Sequence, residues 1–288
     1  MRFLTVPPSS PAVWEAILSR PDLFGVIITP KSTRSLRAIA EWPLFSVDNG
    51  CYSQGESFDP WRYLSFLRKL QPLNSHCLFA TSPDVVADAL ATEWMSWRIG
   101  PLMRGMNYSV ALACQDGIED MCLDSIWCHF DVAMIAGSTE WKLSQCALDV
   151  AREAKKHGLG VHAARVNSWK RLQHFAEVAD TADGTCLAIA PDTNLRKLTS
   201  WLEEIQSQTS MLNASRQPVE PDLDALVRRR QRMLDVTAAD DDSVWDSLGP
   251  GLLPPRPTLR MRQAPSLPTA TIQHALFGSG VDAATETA

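Results

Sequence analysis

What most limits the folds open to this chain of 288 residues is an alternation that runs through its first two-thirds. Short runs rich in β-branched, aromatic and aliphatic residues recur as RFLTV at 2–6, FGVIIT at 24–29, LFSVD at 44–48 and CLFAT at 77–81. They continue as SVALAC at 109–114, VAMIAG at 132–137, LGVHAAR at 159–165 and TADGTCLAIA from 181. Between them, WRYLSFLRKL, KLSQCALDVAREAKKHG and SWKRLQHFAEVA repeat their apolar positions at helical spacing, and the second ends on a glycine stop, Gly158. Eight β/α units in roughly 205 residues predict an α/β fold, a closed TIM (β/α)8 barrel. An open doubly wound sheet fits less well, because the strands are short and no glycine-rich nucleotide turn comes after the first of them.

The alternation stops after NLRKLTSWLEEIQ. The chain continues with SRQPVEPD, a charged helix candidate DLDALVRRRQRM, the acidic AADDDS and the proline-rich GPGLLPPRPTLRMRQAPSLPTA. We therefore expect one barrel domain over residues 1–206 and, over 207–288, a charged and Pro-rich tail that is mostly disordered. The RRRQR run in that tail reads either as a phosphate contact or as a solvated helix face.

Composition narrows the function classes. A formal charge of −6 argues against a protein that coats nucleic acid nonspecifically, yet leaves room for a basic rim around one cleft. The seven cysteines stand singly, without a CxxC pair, which is neither a disulfide framework nor a zinc site. No HxH or clustered His/Cys set offers metal ligands, so neither a metal nor another cofactor is expected. MRFLTVPPSS lacks a basic region followed by a long apolar one, and no apolar run reaches membrane-spanning length. The expectation is a cytoplasmic protein, in the host cytoplasm if a phage encodes it, with no membrane partner.

In a barrel of this class the chemistry sits at the C-terminal ends of the strands, and the polar residues of this sequence gather there. Asp48 ends a strand in FSVDNGCY at an Asn-Gly turn, and reads either as a mouth-facing carboxylate or as a turn residue bonding its own backbone. Asp183, in TADGTC, is a second strand-end carboxylate before a glycine. Two such carboxylates suit substitution at a sugar carbon, one attacking the anomeric centre and the other handling protons. Asp84, in ATSPDVVADA, is either a pocket residue or the first turn of a helix. Gln115 and Asp116 in ACQDG offer donors and acceptors to a purine edge, or else the local bonds of a turn. Gly137 in IAGSTEWK lets backbone approach a flat ligand. His162, Arg165 and Asn167 stand at a strand end, and Lys170 and Arg171 on the helix after it; the cations read either as a group positioning a phosphate backbone beside the mouth or as ordinary helix-surface charges.

Taken in order, FSVDNGCY, FATSPDVVADA, ALACQDG, IAGSTEWK, HAARVNSWKRL and ADGT resemble the DNA-guanine transglycosylases of the deazapurine DNA modification (DpdA-type) family, over about residues 24–202. That family is related to the queuine and archaeosine tRNA-guanine transglycosylases. The resemblance implies a TIM barrel with two catalytic aspartates, Asp183 as nucleophile and Asp48 in acid/base chemistry. It implies base recognition by Asp84, Gln115 and Gly137; Asp116, His162 and Arg165 are expected as further substrate contacts from their own places at the strand ends. The CxCxxC-and-His zinc site of the tRNA enzymes has no counterpart here, which favours the DNA branch. Ala136 and Ala164 stand where glycine is usual, and TADGT replaces SVDGT.

The implied reaction replaces guanine in DNA with a 7-deazaguanine base, such as the cyano form, through a covalent aspartyl-glycosyl intermediate. The target guanine must be flipped out or single-stranded, at a cost of roughly a few kcal/mol. Lys31, Arg34, Arg37, Arg165, Lys170 and Arg171 are the cations available to DNA near the mouth, and accessory modification proteins are candidate partners. Two alternatives stand beside this reading: a queuine-type tRNA enzyme using the same aspartates, and a barrel that binds a deazapurine or DNA without turnover.

Overall fold

The computed structural model describes residues 1–32 and 35–214, without the side chains of Glu56 and of residues 209–214. The chain divides into two units, Met1–Pro221, which holds every described residue, and Asp222–Ala288. The RRRQR run and most of the expected tail thus lie outside the described residues.

The first unit is a closed barrel of eight parallel strands in sequential order. They are β1 (Arg2–Thr5), β2 (Phe24–Ile28), β3 (Phe45–Val47), β4 (Cys77–Thr81), β5 (Val110–Cys114), β6 (Val132–Ile135), β7 (Gly160–Ala163) and β8 (Thr181–Gly184). Every one falls within an expected run. The connections carry helices α1 (Pro11–Ser19), α2 (Leu36–Ala40), α3 (Cys51–Gln54), α4 (Pro60–Leu70), α5 (Ala89–Gly105) and α6 (Leu123–Trp127). They continue with α7 (Thr139–Lys142), α8 (Gln145–Lys156) and α9 (Trp169–Phe175), and α10 (Cys186–Ile189) and α11 (Pro191–Ala214) come after the last strand. No helix among the described residues is long and apolar enough to cross a membrane.

Local chemistry sets the helix ends. Asp59 caps α4 by accepting from the Trp61 and Arg62 N–H groups, and Pro60 occupies the first helical position. The stretch KLSQCALDVAREAKKHG, expected as one helix, is two: Ser144 breaks it and caps α8, and Gly158 at φ +77° ends it. The segment after β7 is shorter than expected, with α9 stopping at Phe175. In contrast α11 runs beyond residue 206 to Ala214.

Register decides which side chains enter the barrel, because parallel partners point to the same face. Leu4 lies opposite Gly25 and Asp183, Met134 opposite His162, and His162 opposite Thr181. A buried cluster of Leu4, Ile27, Phe79, Ala111, Ala113 and Met134 fills the interior. Small residues are needed among the large ones: a β-carbon on Gly25 would come within 2.8 Å of the Leu4 side chain. The same interior-facing rows that pack the core therefore carry Asp183 and His162 to the upper end of the barrel.

Candidate active site

Asp183 stands on β8 and is held on one side only. His162 Nε2 lies 3.1 Å from its Oδ1, and the Arg165 backbone N–H donates to the same oxygen at 2.9 Å. Among the described residues no hydrogen bond reaches Oδ2, and the side chain keeps 18% of its surface exposed. The glycine after it is required by packing, since a β-carbon at Gly184 would strike the Asn167 side chain and the Val166 carbonyl. Asn167 Oδ1 accepts from the Thr185 N–H at 2.7 Å, closing the β7 and β8 loops together.

Asp48 lies just past β3, where the chain turns through Asn49 and Gly50, the latter at φ +78°. Its Oδ1 accepts the Gly50 N–H at 3.1 Å, as a turn residue would. Asp183 and Asp84 lie close enough for their charges to act on it. Burial above all, with those two like charges, raises its pKa to about 6, against the lowering effect of the Gly50 N–H and His162.

Asp84 is clamped by amides. Asn49 Nδ2 donates to its Oδ1 at 2.8 Å and Gln115 Nε2 to its Oδ2 at 2.6 Å. Burial pushes its pKa up, and hydrogen bonds from Asn49, Cys51 and Gln115 and the Arg165 charge oppose the shift. It does not occupy a helix first turn, because α5 begins at Ala89 with Asp88 as its cap. Gln115, 1% exposed, spends its other end accepting the Ala87 N–H, so it orients Asp84. Asp116 is committed elsewhere: its two oxygens accept from the Ser138 hydroxyl at 2.6 Å and N–H at 2.7 Å. Gly137 makes room for that tie, since a β-carbon there would lie 2.5 Å from Asp116 Oδ2 and 2.6 Å from the Trp141 ring. His162 is fully buried inside the barrel, packed against Phe79 at 5.0 Å between ring centroids, and its Nδ1 lies 2.8 Å from Thr181 Oγ1.

Arg165 takes a left-handed backbone at φ +59°, a conformation a non-glycine residue holds at some cost. That turn aims its N–H at Asp183 and sends its guanidinium to the Ala136 carbonyl at 2.6 Å, over the Tyr52 ring at 4.7 Å. Tyr52, 66% exposed, escaped the sequence reading although it lies in the FSVDNGCY block. So did Lys142. It is 4% exposed, donates to the Ala164 carbonyl at 2.9 Å, and has its pKa lowered to about 7, by burial first and then by the neighbouring Arg165 charge. Its place in an amphipathic stretch gave no sign that it turns inward.

Of the other expected cations, Lys31 bonds the Ser53 carbonyl at 3.2 Å, Lys170 and Arg37 are exposed, and Arg171 donates to the Arg165 carbonyl at 3.4 Å. Arg34 lies outside the described residues. Among the described residues one set of side chains groups as metal ligands would, Asp124, Glu153 and His157. It belongs to α6 and the end of α8, and its members touch one another, His157 Nε2 lying 3.0 Å from Asp124 Oδ1 and 3.4 Å from Glu153 Oε1.

No family model and no curated protein matches this chain. Among solved structures it is similar to tryptophan synthase of Pyrococcus furiosus, at 14% identity over 72% of this chain and 95% of that one, with a TM-score of 0.43. It is also similar to an HpcH/HpaI aldolase of Desulfitobacterium hafniense, at 13% identity over 69% and 92% of the two chains, with a TM-score of 0.42.

Proposed function

We propose that this barrel exchanges bases on a nucleic acid, replacing guanine in DNA with a 7-deazaguanine through a covalent link to Asp183. The observation that carries the reading is the asymmetry of Asp183, anchored through Oδ1 with no hydrogen bond to Oδ2 among the described residues, beside a half-buried Asp48 whose pKa lies near 6. A fixed carboxylate with one free oxygen suits attack on an anomeric carbon, and a carboxyl that gains and loses a proton near neutrality suits transfer to and from a purine.

In the first step Asp183 Oδ2 bonds to the sugar C1′, the C1′–N9 bond breaks, and its electron pair leaves with guanine, which takes a proton from Asp48. In the second, N9 of the incoming deazaguanine attacks C1′, the C1′–Oδ2 bond breaks and returns its pair to Asp183, and the N9 proton passes to Asp48. The strand is never cut. Asp84, oriented by Asn49 and Gln115, keeps lone pairs for a base edge, and the exposed ring of Tyr52 offers it a flat neighbour. Arg165, Lys170 and Arg171 lie on the β7 side, where a phosphate backbone would pass.

Nucleoside mass spectrometry tests this directly. DNA from cells that express the chain and are supplied with 7-cyano-7-deazaguanine should contain the modified nucleoside. Modification of tRNA with unmodified DNA would move the activity to the tRNA branch, and binding without a covalent adduct to either would make the barrel a binding protein.

A further inference from the structure

His162 contacts Asp183 through one ring nitrogen and Thr181 through the other. Asp183, as a carboxylate, only accepts, so the hydrogen in the 3.1 Å contact must sit on His162 Nε2. In the neutral ring Nδ1 then carries a lone pair, which the Thr181 hydroxyl, 2.8 Å away, satisfies as donor. The ring is fully buried and wedged against Phe79, so it has no solvent partner to turn towards. The chain Thr181–His162–Asp183 links two neighbouring strands across register partners, His162 facing Thr181.

Resting on the base-exchange reading, we infer that His162 is a positioning residue whose Nε2–H governs the second half of the reaction, the departure of Asp183 from the sugar. While the glycosyl ester exists, Oδ1 is its carbonyl oxygen and Oδ2 carries the sugar. When the incoming base attacks C1′, the C1′–Oδ2 bond breaks and negative charge returns to the carboxylate. Donors already aimed at Oδ1, the imidazole and the Arg165 N–H, stabilise that charge as it develops. The same donors lower the basicity of the free carboxylate, so they do not speed the first attack. Their net effect is to make the covalent intermediate short-lived.

The test uses the full chain, an end-labelled DNA duplex and 7-cyano-7-deazaguanine. Adduct formation is followed on denaturing gels without the incoming base, and its resolution after a chase with that base. In His162→Leu, formation should stay within about threefold of wild type while resolution slows about 10- to 100-fold, the usual effect of losing a group that orients a reacting one. His162→Gln, which keeps an N–H in reach, should recover part of the resolution rate, and Thr181→Val should slow resolution in the same direction by a smaller factor. If His162→Leu fails to fold, the Thr181→Val comparison carries the test. Equal slowing of both steps, or none, would overturn the inference. Nitrogen-15 NMR of the ring in the free wild-type protein separates this from the parent reading: an Nδ1–H tautomer in an active enzyme overturns the role of His162 alone. A wild type that forms neither adduct nor exchanged product removes base exchange and this step with it.

Discussion

The two ends of the barrel treat charge in opposite ways. At the lower end carboxylates meet cations: Asp131 pairs with Arg104 at 3.1 Å and Asp180 with Lys155 at 2.5 Å. Each also accepts a strand N–H, from Val110 and Val161, both at 2.8 Å. At the mouth, among the described residues, no aspartate forms an ion pair with a lysine or arginine. Asp84 is held by amides, Asp116 by a serine and Asp183 by an imidazole and a backbone N–H, while Lys142 and Arg165 bond carbonyl oxygens. The lower end neutralises its charges and closes the sheet, whereas the upper end fixes its charges in place without cancelling them. Oriented but uncancelled charge raises the energy of the resting protein and is what a reacting group needs.

This contrast breaks most sharply at Asp183. Asp183→Asn should lose guanine exchange altogether, without a denaturation-resistant DNA adduct and with its cooperative thermal transition intact; exchange of labelled guanine at the wild-type rate would remove the nucleophile assignment. Asp48→Asn should slow turnover by roughly a hundredfold or more, the range of a general acid/base group, while still forming adduct. The same substitution should stabilise the fold. Burial holds the Asp48 pKa near 6 in the native state against an ordinary 3.8, so between those pH values the folded protein keeps a proton that the unfolded chain has lost. Stability therefore falls as pH rises through that window, and Asp48→Asn should remove the fall and raise Tm above pH 6. An unchanged pH profile of Tm would show that Asp48 is solvated.

The lower end should respond the other way. Asp131→Ala strips the acceptor from the buried Val110 N–H and leaves Arg104 without this carboxylate, at about 1–3 kcal/mol. Thermal denaturation should show a loss of several degrees at roughly 2–4 °C per kcal/mol, with kcat unchanged; a fall in kcat with Tm preserved would erase the distinction between the ends. The last effect belongs to Lys142. Its native pKa near 7, below the ordinary 10.5, means that from about pH 7 upward the unfolded chain binds a proton the native one does not. Stability then rises with pH over that range, and Lys142→Met should flatten the slope between pH 7 and 9. A slope as steep in the variant as in the wild type would show that Lys142 stays charged in the folded protein.

How far the sequence could be read depends on the range of the interactions involved. The strands were legible because each is a local run, and the positions of Asp48 and Asp183 near strand ends because a glycine lies close to each. Helix α5 was not, since Gly100 and Pro101 interrupt it and its tryptophans Trp94 and Trp97 face outward. The partners of Gln115, Asp116 and Lys142 lie 22 to 31 residues away along the chain. Spacing within one block cannot reveal that an amide is already spent on a carboxylate, or that a lysine of an amphipathic turn points inward.

Gly137 restricts how this barrel can change. The wall between β5 and β6 is pinned by the Asp116–Ser138 tie, and the missing β-carbon at position 137 is the whole of its clearance. A lineage exploring new ligands can vary the exposed rim, at Lys170 for example, at little cost to the scaffold. It cannot add one carbon at position 137 without also giving up Asp116 or Trp141, so that corner of the mouth can only change through several simultaneous substitutions.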